Sequence, residues 1–412
     1  MSLAAQKRSA PRLRLRLSPA GERSVRAGHP WIYESSIRDQ NRDGQNGELA
    51  IIYDRENRFL AVGLYDPASV IRVRVLHAGS PQNIDAEWFE RQLQKAVSAR
   101  AAFLKSPTTG YRLVNGESDG WPGLVLDKYD RCLVLKLYTA AWFPCLPELL
   151  SVIQKICVPD AVVLRLSRNI QECALQTLGL AEGATILGDP PRNPVLFLEN
   201  GFTFEADVLR GQKTGFFLDQ RDNRKLVGEA AEGRSVLNAF SFSGAFSVYA
   251  AGAGARSVTD LDISVHALES SRRNHQLNSA NPKVSACERD WVQADVFAWL
   301  QGKPAGSFDL VILDPPSLAR RETERQGAIS AYGRLVRLGA RLVKCGGMLA
   351  AFSCSAHVSE KEFFEVCLDA SRPDDDLKVL QTTGHAADHP AGFPEAKYLK
   401  GIFFQKEKGC SC

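Results

Sequence analysis

The chain has 412 residues, 44% of them hydrophobic and 24% charged, enough to bury two or three cores of ordinary domain size. No apolar run approaches the ~20 residues that cross a bilayer, so no membrane-spanning helix is expected. The formal net charge of +4 is modest but uneven: within residues 1–30, Lys7, Arg8, Arg12, Arg14, Arg16, Arg23 and Arg26 face Glu22 alone, a local excess that points to a polyanion partner.

An Arg-rich, acid-poor start also fits the composition of a transit peptide. Here, however, Leu13, Leu15 and Leu17 alternate with Arg12, Arg14 and Arg16, the period of a half-buried strand. Further short strands are predicted over Gly47–Tyr53, Phe59–Tyr65 and Ile71–Leu76, making residues 1–80 a small β-barrel-like unit. Between its first strands lies Gly28-His29-Pro30-Trp31-Ile32-Tyr33. Basic groups beside flat rings suit RNA, whose phosphates take Arg and whose unstacked bases take aromatics. The competing reading places Trp31 and Tyr33 in the core of the barrel.

An amphipathic helix is predicted over Asp85–Leu104, with Trp88, Leu93, Val97 and Leu104 on its buried face. Strand-like runs follow at Tyr111–Val114, Leu124–Asp127 and Cys132–Leu137, around a turn-rich segment from Asn115 to Gly123 that carries no expected catalytic role. A helix over Pro147–Cys157 and a strand over Val162–Leu166 complete a small α+β middle domain, residues 81–192. The Pro/Gly-rich stretch Gly188–Pro194 marks its end.

From residue 193 to 412 the pattern changes to strands alternating with helices, the mark of a doubly wound, Rossmann-like α/β sheet. Strands are expected at Ser235–Asn238, Ser257–Leu261, a short third run before Asp295, Leu310–Leu313 and Met348–Phe352. The helices run to Ala251, from Ser264 as N-cap to Asn278, and over Ser330–Val343 with a stop at Gly346-Gly347. Ligands of such sheets sit beyond the carboxyl ends of the strands. Those ends carry Gly244 in the first turn, Asp262 after the second strand, Asp295 after the third and Asp314 after the fourth. A close turn plus an acid for ribose hydroxyls fits a nucleoside cofactor, with Asp295 placed for an adenine amino group. The absence of a full G-x-G-x-x-G disfavours a dinucleotide and suits a phosphate-free sulfonium.

Two further features carry chemistry. Asp314-Pro315-Pro316 ends a buried strand with an acid and two prolines that stop the ladder, and resembles the fourth motif of S-adenosylmethionine-dependent methyltransferases acting on nucleobases. Ser353-Cys354-Ser355 follows the fifth strand, which puts Cys354 beside Asp314 at the same sheet edge. A pyrimidine carbon 5 is too electron-poor to take a methyl group directly; a thiolate adding to carbon 6 would make it a nucleophilic enamine. The ten cysteines form no C-x-x-C pair, and only Cys410 and Cys412 are closely spaced, which favours a reducing, cytoplasmic setting without metal or disulfides.

Taken together, Gly28-His29-Pro30-Trp31, Gly116-Glu117-Ser118-Asp119-Gly120, the string Lys213 to Arg221, Leu313-Asp314-Pro315-Pro316, Phe352-Ser353-Cys354-Ser355 and Tyr398-Leu399-Lys400-Gly401 resemble the bacterial 23S rRNA (cytosine-5-)-methyltransferases that carry an N-terminal PUA domain. The resemblance covers nearly the whole chain, and the Lys213 to Arg221 string is its most specific part. It implies a PUA domain, an α+β linker domain and a class I methyltransferase domain, with Cys354 as nucleophile and Lys213, Gln220 and Arg221 helping to line the site of S-adenosyl-L-methionine. Two departures stand out: Gly333 and Val336 occupy helix positions where the family carries Lys and Asn, and Cys287–Gln293 reads as an insertion.

Two rival readings remain open. A guanine N7 or amino-group RNA methyltransferase would keep the fold and need no nucleophile, although Ser317 is not the aromatic that amino methylation favours after Asp-Pro-Pro. A non-catalytic PUA-type assembly factor would keep the fold alone. Ribosomal RNA is the expected partner, and a homodimer is left open.

Overall fold

The computed structural model describes residues 12–371 and 377–407; Lys7, Arg8, Cys410 and Cys412 lie outside them. The chain divides into two compact units. One holds the residues up to Ser106, Gly110–Val195 and Asp207–Gly215; the other holds Pro107–Thr109, Leu196–Ala206 and the residues from Phe216 on.

The first unit contains two sheets. Its six-stranded sheet runs in the order Trp31–Tyr33, Ile71–Ala78, Phe59–Tyr65, Leu49–Tyr53, Leu13–Leu17, Ile37–Gln40. Leu13, Leu15 and Leu17 are buried while Arg14 and Arg16 are exposed, as the alternation requires. A helix, Pro19–Arg26, follows directly, opened by Pro19 and capped by Ser18. The second sheet runs Thr185–Gly188, Ala161–Leu166, Cys132–Leu137, Leu124–Tyr129, Gly110–Asn115.

The helix Ala86–Ala99 is capped by Asp85 and buries Trp88, Phe89, Leu93 and Ala96. It ends five residues before Leu104, which sits in the following turn 69% exposed instead of on a buried face. The turn-rich segment is a bracket. Asp119 accepts from two Arg100 nitrogens at 2.9 and 2.6 Å and from the Asn115 amide. Glu117 accepts from the Gly123 amide at 3.0 Å and from the Trp31 indole N–H at 2.8 Å.

In the second unit a helix, α1 (Arg221–Glu229), precedes β1 (Ser235–Ala239), α2 (Ala245–Ala253), β2 (Ser257–Asp262), α3 (Val265–Leu277), β3 (Glu288–Gln293), α4 (Val296–Gly302), β4 (Phe308–Leu313), α5 (Arg325–Leu342), β5 (Val343–Ser353), α6 (Glu360–Ser371), β6 (Leu377–Thr383) and β7 (Lys400–Lys406). The sheet order is β3-β2-β1-β4-β5-β7-β6, with β7 antiparallel to both of its neighbours. Alternate residues of the central strands pack to opposite sides. Leu237, Leu261, Val311, Leu313 and Leu349 join α4, α5 and α6, and Val236, Val258, Leu310 and Ile312 join α1 and α2. Each fully buried aliphatic side chain contributes about 1.5–3 kcal/mol. Coverage on both faces is why these strands read as continuous apolar runs.

Three expectations change. The segment Cys287–Gln293, read as an insertion, contains the third strand: Glu288–Gln293 is β3, paired in parallel with β2. Helix α5 starts at Arg325 and ends at Leu342. Gly346 and Gly347 lie inside β5, at an irregularity where pairing jumps from Phe308↔Val343 to Leu310↔Met348; Gly346 has φ +75°, and a Cβ on Gly347 would sit 2.7 Å from the Asp309 carbonyl oxygen.

Candidate functional site

The carboxyl ends of β2, β1, β4 and β5 are level across the sheet, through the pairs Leu261↔Ala239, Ala239↔Leu313 and Leu313↔Ala351. Register therefore lines up the loop after β1, Asp262, Asp314 and the Ser353–Ser355 turn along one edge. The cofactor half is built around Asp262. Its Oδ2 accepts from the Phe242 amide at 3.0 Å and its Oδ1 from the Ser264 amide at 2.8 Å. One bond per oxygen leaves a carboxylate with lone pairs for hydroxyl donors.

The loop that Asp262 gathers in is strained: Phe240 and Phe242 have φ +61° and +47°, a region bulky residues rarely occupy. Gly244 closes it at φ +70°, where a Cβ would lie 2.2 Å from Ser271 Oγ. Beneath it the buried Asp260 accepts from Asn238, Ser247 and Ser271. Ser241 Oγ, in the same loop, is buried without a hydrogen-bond partner among the described residues. A narrow backbone cradle, an orphaned hydroxyl and a ribose-competent carboxylate fit a nucleoside sulfonium such as S-adenosylmethionine. Asp295, exposed at the start of α4, accepts from the Ala298 amide through Oδ1 at 2.9 Å, and so serves as that helix's N-cap.

Asp219, Gln220 and Arg221 reach three different places. Asp219 accepts from the Tyr398 hydroxyl at 2.8 Å. Gln220 donates to Asp314 Oδ1 at 2.9 Å and accepts from Asn223. Arg221, almost fully buried, donates from both terminal nitrogens to Asp388. Burial alone would push the Asp388 carboxyl up, but His389 and Arg221 together hold it far below the usual carboxylate range. Lys213 belongs to the first unit, where its carbonyl accepts from Lys136 Nζ at 3.0 Å; the other candidates all lie in the second.

Cys354 is half-buried, its Sγ 3.9 Å from the Pro315 carbonyl oxygen, so the thiol and the acid-Pro-Pro turn do meet. Around them is a hydroxyl cluster absent from the sequence-derived candidates. Ser353 donates to the Tyr332 hydroxyl at 2.9 Å, and Tyr332 and Ser355 are 2.8 Å apart. Ser355 Oγ also accepts from the Leu318 and Ala319 amides, which fixes the turn after Pro316. Burial, only partly offset by Ser353 and Ser355, pushes the Tyr332 phenol up to about 12. Lys400, 2% exposed, donates to the Ser355 and Val358 carbonyls at 2.7 and 2.6 Å. Gly333 and Val336 are both buried; a Cβ on Gly333 would meet Val366 of α6 at 3.0 Å, so these positions serve helix packing.

In the first unit, only Ile32 of the aromatic turn enters the core. Trp31 is half-buried, Tyr33 is 38% exposed, and their rings meet edge-on at 6.5 Å. Among the described residues no helix is long and apolar enough to cross a membrane.

A family profile described as S-adenosylmethionine-dependent methyltransferase matches residues 174–404, and one described as a PUA-like domain matches residues 15–78. A ribosomal RNA large subunit methyltransferase of Deinococcus radiodurans is 55% identical over 97% of this chain and 98% of its own. The ribosomal RNA large subunit methyltransferase I of Shewanella amazonensis is 36% identical over 95% and 98%. Among solved structures, SMU.776, described as a methyltransferase and complexed with SAH, superposes with a TM-score of 0.80 at 22% identity, over 95% of this chain and 99% of that one.

Proposed function

Because this chain belongs to the family of S-adenosylmethionine-dependent methyltransferases of large-subunit ribosomal RNA, we propose that it methylates carbon 5 of a cytosine in 23S rRNA, with Cys354 as the covalent nucleophile. The observation that carries this reading is the 3.9 Å approach of Cys354 Sγ to the Pro315 carbonyl, beside Asp314. Methyl transfer to a guanine or to an amino group needs no thiol at that place.

When bound, S-adenosylmethionine supplies an electrophilic methyl group. The chain's residues prepare the acceptor. The Cys354 thiolate forms a bond to carbon 6 of the ring, and the displaced electron pair makes carbon 5 nucleophilic. After methylation the carbon 5 proton leaves to a general base, the 5,6 double bond re-forms, and the thiolate departs. Asp314, oriented by Gln220, accepts from the cytosine amino edge, which favours electron flow into the ring. Asp262 holds the ribose hydroxyls. The target base must leave its stack, at a cost of a few kcal/mol that is smallest in an unpaired segment.

In this reading residues 1–80 hold RNA, with Arg12, Arg14 and Arg16 toward phosphates and Trp31 and Tyr33 toward bases; residues 81–192 link; residues 193–412 catalyse, in the cytoplasm where ribosomal RNA is found. The test is a covalent trap. With 5-fluorocytidine in the RNA, carbon 5 has no proton to lose, so a Cys354-dependent protein–RNA adduct should survive denaturing electrophoresis. Turnover on natural RNA without any adduct would replace this reading with a guanine-directed one.

A further inference from the structure

Lys400 has an unusual position for an ammonium group. It opens β7 directly opposite Ser353 of β5, is 2% exposed, and has no salt bridge to a carboxylate among the described residues. Its Nζ instead donates to the carbonyls of Ser355 and Val358, 2.7 and 2.6 Å away. The turn that starts at Cys354 is thus wrapped around a buried positive charge. Burying an ammonium without a direct counter-ion costs several kcal/mol, so simple packing would favour an apolar residue here.

We infer that Lys400 is a positioning residue for Cys354, holding the turn through two carbonyls while its charge stabilises the thiolate. The inference rests on the reading of Cys354 as nucleophile. A cation near a thiol favours the thiolate, the form that attacks, and the thiolate in turn relieves the cost of keeping Lys400 charged. The electrostatics agree in direction. Burial pushes the Lys400 ammonium down to about 8, and the charge on Cys354 opposes that fall more than those of Glu360 and Glu362. Of the other charged or titratable groups around the turn, Glu360 is exposed to solvent and Asp314 accepts from Gln220. Glu362 is held by Arg325 and Ser359, His357 faces Glu322, and Tyr332 stays neutral up to about 12.

The test is the pH profile of Cys354 alkylation by iodoacetamide in the full chain without RNA. It is quantified by mass spectrometry on the Cys354 peptide, because Cys145, Cys157, Cys173 and Cys345 are also partly accessible. In the unaltered protein the midpoint is expected below the ~8.5 of an unperturbed thiol. Lys400→Met should raise it by about one unit or more, slowing alkylation at neutral pH roughly tenfold. Lys400→Arg, which keeps the charge, should restore most of the rate. A folded Lys400→Met protein with an unshifted profile would overturn the inference. If that variant does not fold, an unaltered-protein midpoint at or above ~8.5, or a Lys400→Arg midpoint raised to that value, overturns it instead. A low midpoint without an RNA adduct sinks the cytosine reading alone, and an adduct with an unperturbed midpoint sinks only the role of Lys400.

Discussion

Gln220 donates from Nε2 to Asp314 Oδ1 at 2.9 Å while its own oxygen accepts from Asn223 at 2.6 Å, so the amide of one motif fixes the carboxylate of another. Gln220→Leu removes a hydrogen bond to a charged group, worth about 1.5–3 kcal/mol. Methyl transfer, followed with radiolabelled S-adenosylmethionine, should fall roughly tenfold or more in kcat with little change in cofactor KM. An effect confined to cofactor KM would place Gln220 on the cofactor and not on the base.

Cys354→Ala should abolish methylation yet leave S-adenosylmethionine affinity, by isothermal titration, unchanged. The division of labour in the proposed reading explains this: Asp262 and the loop after β1 are assigned to the cofactor, and the thiol to carbon 5 alone. Residual methylation at a comparable rate would rule out covalent catalysis.

In the proposed reading Asp262 has two tasks, since it also holds the Phe242 and Ser264 amides. Asp262→Ala should weaken cofactor binding roughly tenfold to a hundredfold and also lower Tm, because the strained loop loses its tether. Asp262→Asn retains an amide-accepting oxygen, so its Tm should lie closer to that of the unaltered protein. Unchanged cofactor affinity in both variants would remove Asp262 from the site.

At the opposite end of the sheet, burial would push the Asp309 carboxyl up, but the Ser235 amide and hydroxyl and Lys344 outweigh it and bring it down to about 2. A carboxyl depressed by folding contributes stability above its unfolded value near ~3.9 and loses it as pH falls toward the folded one. Thermal melts of Asp309→Asn should therefore show a shallower decline than the unaltered protein between about pH 4 and about pH 2. Parallel declines would show that Asp309 does not drive acid unfolding.

Removing the basic unit wholesale is a poor test of RNA binding, because Leu64 and Leu76 share a core with Trp88 and Trp142 and excision would open it. Replacing the exposed Arg14 and Arg16 together with Ala should weaken RNA binding and reduce the slope of log K against log salt by roughly one to two. An unchanged slope would move the phosphate contacts elsewhere.

What could be read in advance follows from where each signal originates. The run Leu310–Leu313 and the alternation Leu13, Leu15, Leu17 are local patterns imposed by burial, and both strands lie where they were expected. Strand β3 was legible only as a short run before Asp295, without bounds, because it is an edge: its sequence Glu-Arg-Asp-Trp-Val-Gln is half-buried at best, so no continuous apolar run marked it. Gly346-Gly347 misled because glycine serves irregularities inside strands as well as helix ends. Asp314 and Cys354 could be paired from strand order alone. Tyr332, Asp388 and Lys400 could not, because their partners lie 23, 167 and 45 residues away and only the folded sheet brings them together.

Strand β7 lies between β5 and β6, although it follows both in sequence. Among the described residues β6 pairs with β7 alone, so neither of the two can join the sheet before β7 has been made. Until β7 is in place the turn from Cys354 to Val358 lacks the lysine around which it is wrapped, even though every residue of the cofactor cradle has already emerged. In the proposed reading, a nascent chain therefore holds the loop after β1 and Asp262 before the lysine that poises Cys354 has been made.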